Sequence, residues 1–344
     1  MTKNRRATIA KVAATAGVST ATVSRVLSGS SAVTEATRNR VEEAAKSLNY
    51  RPSDLTRAVF AGRSNSIGVL FADMRSPYYV GLIEGITHVS SRAGALAYLA
   101  AGNRDMDQEE QILSLMDSHR VRGLITAAHH HDDLILNMAE SGTECVYITR
   151  EPTFIHPRAH SIRLDNIAAG NLALQHLTEI GCTRTLIVNQ TPLRLTSIER
   201  TQGFRDAAQA AGLHIADEQV HKLDSLSAPS ADLAQTIQTY WQQGRIDSVF
   251  ATTGAATFRA YEALAGSGLR IPEDIAILGI DDFQWASHLA APLSVITQPT
   301  FDMGEAAAKL ILEEPGSSQT MIFPPSIIVR ESTLGHAASD NDAS

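Results

Sequence analysis

His129, His130 and His131 are followed at once by Asp132 and Asp133, so side chains able to hold a divalent ion stand next to one another. Their spacing is unlike that of a zinc site, and no Glu-x-x-His pattern or cysteine accompanies them, so a polar loop after a strand is the expected reading. Cys145 and Cys182, the only cysteines, each lie in or beside an apolar run and read as buried thiols of a reducing compartment. Neither a Gly-rich phosphate loop nor a nucleophile elbow is present. Turnover, a metal and a cofactor are therefore not expected.

A second set of chemistry-bearing residues is cationic. Residues 1–63 hold eleven Lys and Arg against four Asp and Glu, a balance of +7, and since the whole chain carries −8 the remainder carries −15. A basic head on an acidic chain is the footprint of a nucleic-acid-binding module when it coincides with a compact helical unit. The apolar spacing supplies that unit. Thr8 is a candidate N-cap, Ile9, Val12, Ala13 and Ala16 follow at helical spacing, and Gly17 tolerates the positive φ at which the helix must stop. Ser19 caps a second helix whose inward face is Val23, Val26 and Leu27, with Thr20, Ala21, Ser24, Arg25 and Ser28 on other faces. Thr34 caps a third, carrying Val41, Ala44, Ala45 and Leu48. Two short helices joined through a Gly-containing turn and buttressed by a third make a helix-turn-helix.

The remaining length has a different character. A chain of 344 residues, 44% hydrophobic and 19% charged, is long enough for two or three domains with real cores. No apolar run follows the basic first residues and no window approaches a membrane span, so a cytoplasmic protein is expected. From Ser66 short apolar runs ("SIGVLFA", "ALAYLAA", "GLITAA", "CVYIT") alternate with stretches long enough for helices, and a second set ("TLIVNQ", "SVFATT", "IAILGID") is expected to begin at "SIRLD". Such βαβ units predict two doubly wound parallel sheets, with a ligand cleft beyond the carboxyl ends of their strands.

The runs "TIAKVAATAGVSTATVSRVLSG" and "VTEATRNRVEEAAKSLNYRP" resemble the DNA-binding head of the LacI/GalR family. "DMRSPYYVGLIEGI", "IRLDNIAAGNLALQHLTEIGCTR", "RTQGFRDA" and "LRIPEDIAILGIDDFQWASHLAAPLSVITQP" are similar to its periplasmic-binding-protein-like sensor, so the resemblance covers nearly the whole chain. It implies a three-helix head at 1–51, a hinge helix at 52–63 and a two-lobed α/β sensor at 64–335. The first lobe is expected at about 64–160 and 292–321, the second at about 161–291 and 322–335, with a disordered tail at 336–344.

By the same resemblance the second helix enters the major groove with Thr20, Ala21 and Arg25 facing bases. Arg25 can donate two hydrogen bonds to guanine, whereas Thr20 and Ala21 offer methyl contacts or one hydroxyl. Thr8, Ser19, Thr22, Ser24, Ser28, Thr37 and Tyr50 are the other expected DNA contacts in the head, of the kind that position without specifying. In the hinge, Val59 stands where the family wedges a leucine into the minor groove, and Thr56 where a small alanine is usual.

For the cleft, the resemblance implies Tyr78 and Tyr79 at the first lobe's lip, Leu164 and Arg200 within, and Asp281 on the opposite strand. Arg194 and Thr196 are expected in the loop before Arg200. Aromatic rings, a guanidinium fork and a carboxylate suit a small polyol. Thr149 and Arg150 replace an Asp-Arg pair, and Thr253 and Gly254 an Asn-Asp pair, which biases the cleft toward a sugar acid or sugar phosphate, with a neutral pentose or nucleoside still open. The implied protein is a repressor of carbohydrate or nucleoside genes, working as a homodimer on a near-palindromic operator, since the tail "HAASDNDAS" lacks the heptads that would join two dimers. The alternative, a solute-binding protein for transport, needs an export signal and has no use for residues 1–63; a sugar-modifying enzyme would turn its ligand over.

Overall fold

The computed structural model describes residues 8–27, 33–50, 63–72, 76–103, 105–128, 130–190, 194–223 and 231–335. Ser28, Thr56, Val59 and His129, the rest of the expected hinge up to residue 62 and the tail lie outside these.

The head comprises α1 (Ile9–Ala16), α2 (Thr20–Leu27) and α3 (Glu35–Ser47). Thr8 Oγ1 accepts from the Lys11 amide at 3.4 Å, Ser19 Oγ from the Thr22 amide at 3.1 Å, and Gly17 ends α1 at φ 65°. Thr34 stands at the N-cap of α3, but its hydroxyl pairs with that of Thr37 instead of a free amide. Val12, Ala13, Ala16, Val23, Val26, Val41, Ala44 and Ala45 close a small core against which Leu27, Leu48 and Tyr50 pack half-buried.

The first sheet contains β1 (Ser66–Phe71), β2 (Leu96–Ala101), β3 (Gly123–Thr126), β4 (Glu144–Ile148), β5 (Ala159–Leu164) and β11 (Thr320–Phe323), in the order β2-β1-β3-β4-β5-β11, every pair parallel. The second contains β6 (Thr185–Gln190), β7 (Val220–Leu223), β8 (Ser248–Ala251), β9 (Ala276–Ile280), β10 (Ser294–Thr297) and β12 (Ser326–Ile328), in the order β7-β6-β8-β9-β10-β12. Here β12 departs from the expected parallel sheet by running antiparallel to β10. The connections carry α4 (Pro77–Arg92), α5 (Met106–Ser118), α6 (Asp132–Glu140), α7 (Asn166–Glu179), α8 (Leu195–Ala210), α9 (Ala231–Gln242), α10 (Gly254–Ala265) and α11 (Thr300–Glu313). Helices on both faces explain why β1, β3, β4, β6, β8 and β9 are buried throughout and are apolar over most of their length.

The two sheets share one strand order, and this corrects the expected lobe boundaries. Residues 161–164, expected to open the second lobe, finish β5 of the first sheet; residues 294–297, expected in the first lobe, form β10 of the second; residues 322 and 323 end β11 of the first. The physical reason is that each crossing strand completes its pairing in the lobe it leaves, so the chain changes lobes after the strand and not before it. Both sheets have the same apolar pattern, and a pattern carries no sheet label.

One helix pair in each lobe crosses at glycines. In the second lobe a Cβ on Gly170 of α7 would overlap the carbonyl oxygen of Arg200 and stand 2.6 Å from the amide nitrogen of Phe204, while Gly203 of α8 faces the backbone of Ile167. Gly85 of α4 and Gly304 of α11 make the corresponding crossing in the first. α7 and α11 each follow directly on a crossing strand, so close packing at their first turns fixes what those turns present to the cleft.

Candidate effector cleft and DNA-binding face

A cavity of about 970 Å³ opens between the lobes beyond the strand ends. Tyr78, Tyr79, Thr149, Leu164, Arg194, Thr196, Arg200, Thr253 and Asp281, the nine side chains expected there, all line it. Arg194 and Thr196 lie not in a loop but at the N-cap and in the first turn of α8, which carries Arg200 on the same helix.

Asp281 follows β9, is buried, and is held at φ 69°, a left-handed conformation that carboxylates tolerate better than most side chains. Thr149 follows β4, the strand at the same place in the other sheet, at φ 76°. Each donates its amide to the next strand, Asp281 to the Ile296 carbonyl at 3.0 Å and Thr149 to that of Ile162 at 3.1 Å. The cleft therefore has matching positions on its two walls, one bearing a carboxylate and the other a hydroxyl. A left-handed β-branched residue is strained, and such strain persists where the surrounding structure holds it.

Arg200 is buried on α8; its Nε donates to Asn166 Oδ1 at 2.9 Å and its Nη1 to the Thr252 carbonyl at 2.8 Å. Asp281 Oδ1 accepts from Gln298 Nε2 at 2.7 Å. Burial pushes the Asp281 carboxyl up, opposed by Arg200 and the Gln298 hydrogen bond; burial pulls Arg200 down, opposed by Asp281 and then Tyr78. The two charges thus sustain each other. Gly254 makes room for this, because a Cβ there would stand 2.8 Å from Asp281 Oδ2 and 2.9 Å from the Phe283 ring. Gly254 thus leaves the Asp281 carboxylate and the Phe283 ring unobstructed at the N-terminus of α10, where the helix dipole favours an anion.

On the first lobe Tyr79 stacks on Phe71 with ring centroids 4.5 Å apart, and Tyr78 meets Tyr79 edge-on at 5.2 Å. Burial, then the neighbouring Tyr79 and Asp281, push the Tyr78 hydroxyl up, so it enters the cleft protonated.

Within the histidine-aspartate run, Asp132 is committed to an arginine. Asp132, in the first turn of α6, takes Arg150 through Nη2 at 2.6 Å and Nη1 at 3.1 Å, and also accepts from Thr153 and the Tyr147 hydroxyl. Burial alone would raise the Asp132 carboxyl, but the hydrogen bonds from Arg150 and Thr153 outweigh it and hold it at about 2. Arg150 lies over the Tyr147 ring at 4.5 Å and donates its Nε to the Ala128 carbonyl. Its charge is neutralised within the protein, which removes part of the expected bias toward an anionic ligand. His131 caps α6 at φ 65°, and His130 lines the cavity.

The sequence reading missed Glu109, Asn166, Gln190, Phe258, Phe283 and Gln298, all of which line the cavity. Asn166 and Gln298 each follow a crossing strand, a position that the rule for doubly wound sheets marks as the ligand side. Glu109 had no comparable signal, since an acidic residue in a helix's first turn ordinarily complements the dipole.

In the head, Ser19, Thr20, Ala21 and Arg25 are exposed along α2, while Thr22, Thr37 and Tyr50 are half-buried and Thr8 is exposed. Ser24, expected to face phosphates, is instead buried. It lies beside Leu27 on the helical wheel, so the inward stripe of this short helix takes it in.

Residues 8–53 match the family model described as bacterial regulatory proteins, lacI family, and residues 64–327 match periplasmic binding proteins and sugar binding domain of LacI family. The HTH-type transcriptional regulator CelR of Thermobifida fusca is 31% identical over 342 residues, covering 96% of this chain and 100% of that protein. The ribose operon repressor of Escherichia coli is 30% identical over 324 residues, covering 89% and 92%. The solved structure of the transcriptional regulator CelR-cellobiose complex superposes with a TM-score of 0.69 at 30% identity, covering 95% of this chain and 100% of that one.

Proposed function

The chain belongs to the LacI family of bacterial regulatory proteins, and from that premise we propose that as a homodimer it grips a near-palindromic operator with an affinity set by a carbohydrate-like molecule in the cleft. It is a DNA-binding regulator of transcription and not an enzyme. The observation that carries the reading is that buried Arg200 and Asp281 both line the cleft, the first bonded to Asn166 and the second to Gln298, each beside a chain crossing. A ligand that engages this pair acts where the lobes are joined, and a change of lobe angle is the two-state element through which it alters the hold on DNA. Because relatives are named for ribose and cellobiose, a carbohydrate is the class to test first. Operator binding places the protein's work in the cytoplasm, and among the described residues no helix is long and apolar enough to cross a membrane.

Arg25, Thr20 and Ala21 read bases, and Ser19, Thr22 and Tyr50 position the head on phosphates. The direct test is selection of operator duplexes from a random pool, followed by anisotropy titration with and without sugars. A sequence preference that shifts with a bound sugar is the expected result; operator affinity indifferent to every sugar that binds would sink the proposal.

The dimer reading draws on the surface of the first lobe. Among the described residues β2 is an edge strand paired only with β1, and it exposes Leu96, Tyr98 and Leu99, with Val80 of α4 also exposed. An unpaired apolar edge of this kind is a template for association. Leu99→Glu is expected to turn dimers into monomers in sedimentation at micromolar concentration and to weaken operator binding to that of a single head. A parent protein that sediments as a tetramer, or a variant that remains dimeric, counts against this interface.

A further inference from the structure

Glu109 is only 2% exposed, lies in the first turn of α5 and lines the cleft. Among the described residues its Oε2 has no hydrogen-bond partner, nor do the buried Tyr78 hydroxyl and Gln190 Nε2, which line the same cavity. A buried carboxylate oxygen without a donor is costly, and the group that relieves the cost must bring one. Glu109 belongs to α5 of the first lobe and Asp281 follows β9 of the second, so the two acids line the cavity from different lobes. Burial raises both carboxyls, opposed at Asp281 by Arg200 and the Gln298 hydrogen bond. The cavity's volume of about 970 Å³ lies at the upper end of the roughly 300–1,000 Å³ that ligand pockets span, which leaves room for more than one sugar ring.

Three cations of the cleft are opposed by carboxylates of the protein. Asp132 engages Arg150, Glu262 engages Arg259 at 2.7 Å, and the nearby Asp281 opposes the effect of burial on Arg200. A ligand anion would have to displace one of these, and beside Glu109 or Asp281 it would meet a like charge. Neutral hydroxyls fit better, since each can donate to Glu109 and accept from Gln190 or Tyr78.

Resting on the reading above, we propose that the effector is an uncharged carbohydrate of at least two units, one bound at Arg200 and Asp281 and the second donating a hydroxyl to Glu109. Full-length protein is titrated calorimetrically with cellobiose, maltose, lactose and sucrose as neutral two-ring probes, with glucose, galactose and ribose as single rings, and with gluconate and glucose 6-phosphate as anions. At least one two-ring probe should bind about tenfold or more tightly than its own monosaccharide. Glu109→Gln, close in shape, should remove roughly that tenfold preference, and Glu109→Ala should do so more completely. Operator affinity without sugar and the melting temperature without sugar should stay near the parent's for Glu109→Gln, which separates a lost contact from a damaged fold. An anion or a single ring that binds tightest and shifts operator affinity overturns this inference and leaves the regulator reading standing. Binding by none of the nine probes overturns this inference together with the carbohydrate reading of the cleft, and a Glu109→Gln variant that keeps the two-ring preference overturns the assignment of the second site.

Discussion

Arg200→Ala should lower affinity for the effector by about ten- to a hundredfold, the effect of deleting a charge-assisted hydrogen bond worth roughly 1.5 to 3 kcal/mol, while operator binding without effector survives. The substitution also leaves Asp281 buried without its opposing charge, so the carboxyl, already raised by burial, shifts further toward its neutral form and accepts poorly from a ligand hydroxyl. Arg200→Lys separates the two contributions. A lysine restores a cation for Asp281 but not the planar fork that reaches Asn166 Oδ1 and the Thr252 carbonyl, so stability should recover more than affinity does. Arg25→Ala should show the opposite pattern, with effector affinity intact and operator discrimination reduced by about 1 to 3 kcal/mol at one base pair. Calorimetry for the sugar and anisotropy for the operator, on all three proteins, decide the matter. An Arg200→Ala protein whose operator release responds to sugar as the parent's does would remove Arg200 from the effector site.

Gly170→Val should cost the second lobe about 3 kcal/mol or more, the upper part of the range for overpacking, because the new side chain meets backbone and not a side chain that can turn aside. α7 and α8 would have to separate at Arg200 and Phe204. Arg200 would then lose its hold on Asn166, so effector affinity should fall together with thermal stability. A melting temperature lower by roughly 5 °C or more is the expected reading for a lobe of this size. Gly85→Val makes the same test at α4 and α11, where the first lobe should be the one to suffer. If Gly170→Val melts with the parent, the close backbone crossing is not what holds this pair together.

Much of the architecture was legible because helix and strand periods are short-range properties. Thr8, Gly17 and Ser19 mark helix ends through bonds that span three or four residues, and the apolar cores of the runs at 66–71, 185–190 and 276–280 announce buried parallel strands. Strand ends also showed where a site would be, since Asp281, Thr149 and Thr253 each stand just past one. Edge strands were harder to see. β7, β11 and β12 are short and partly exposed, and their alternation is too brief to stand out from loops.

What sequence alone determined about this protein is its family, its basic helical head, its two α/β lobes and the nine side chains around the cleft, because each of these is carried by local period, composition or a matched motif. Tertiary structure alone decided how those side chains are paired. Arg150 has no assigned partner until Asp132 is seen to grip it, and Ser24 reads as a phosphate contact until the head closes over it. The sheet to which β5, β10 and β11 belong, the meeting of Asn166 with Arg200 and of Gln298 with Asp281, and the place of Glu109 in the cleft wall depend on residues far apart in the chain. A charge has no fixed partner in sequence; burial and distance assign one, and both exist only once the lobes have folded.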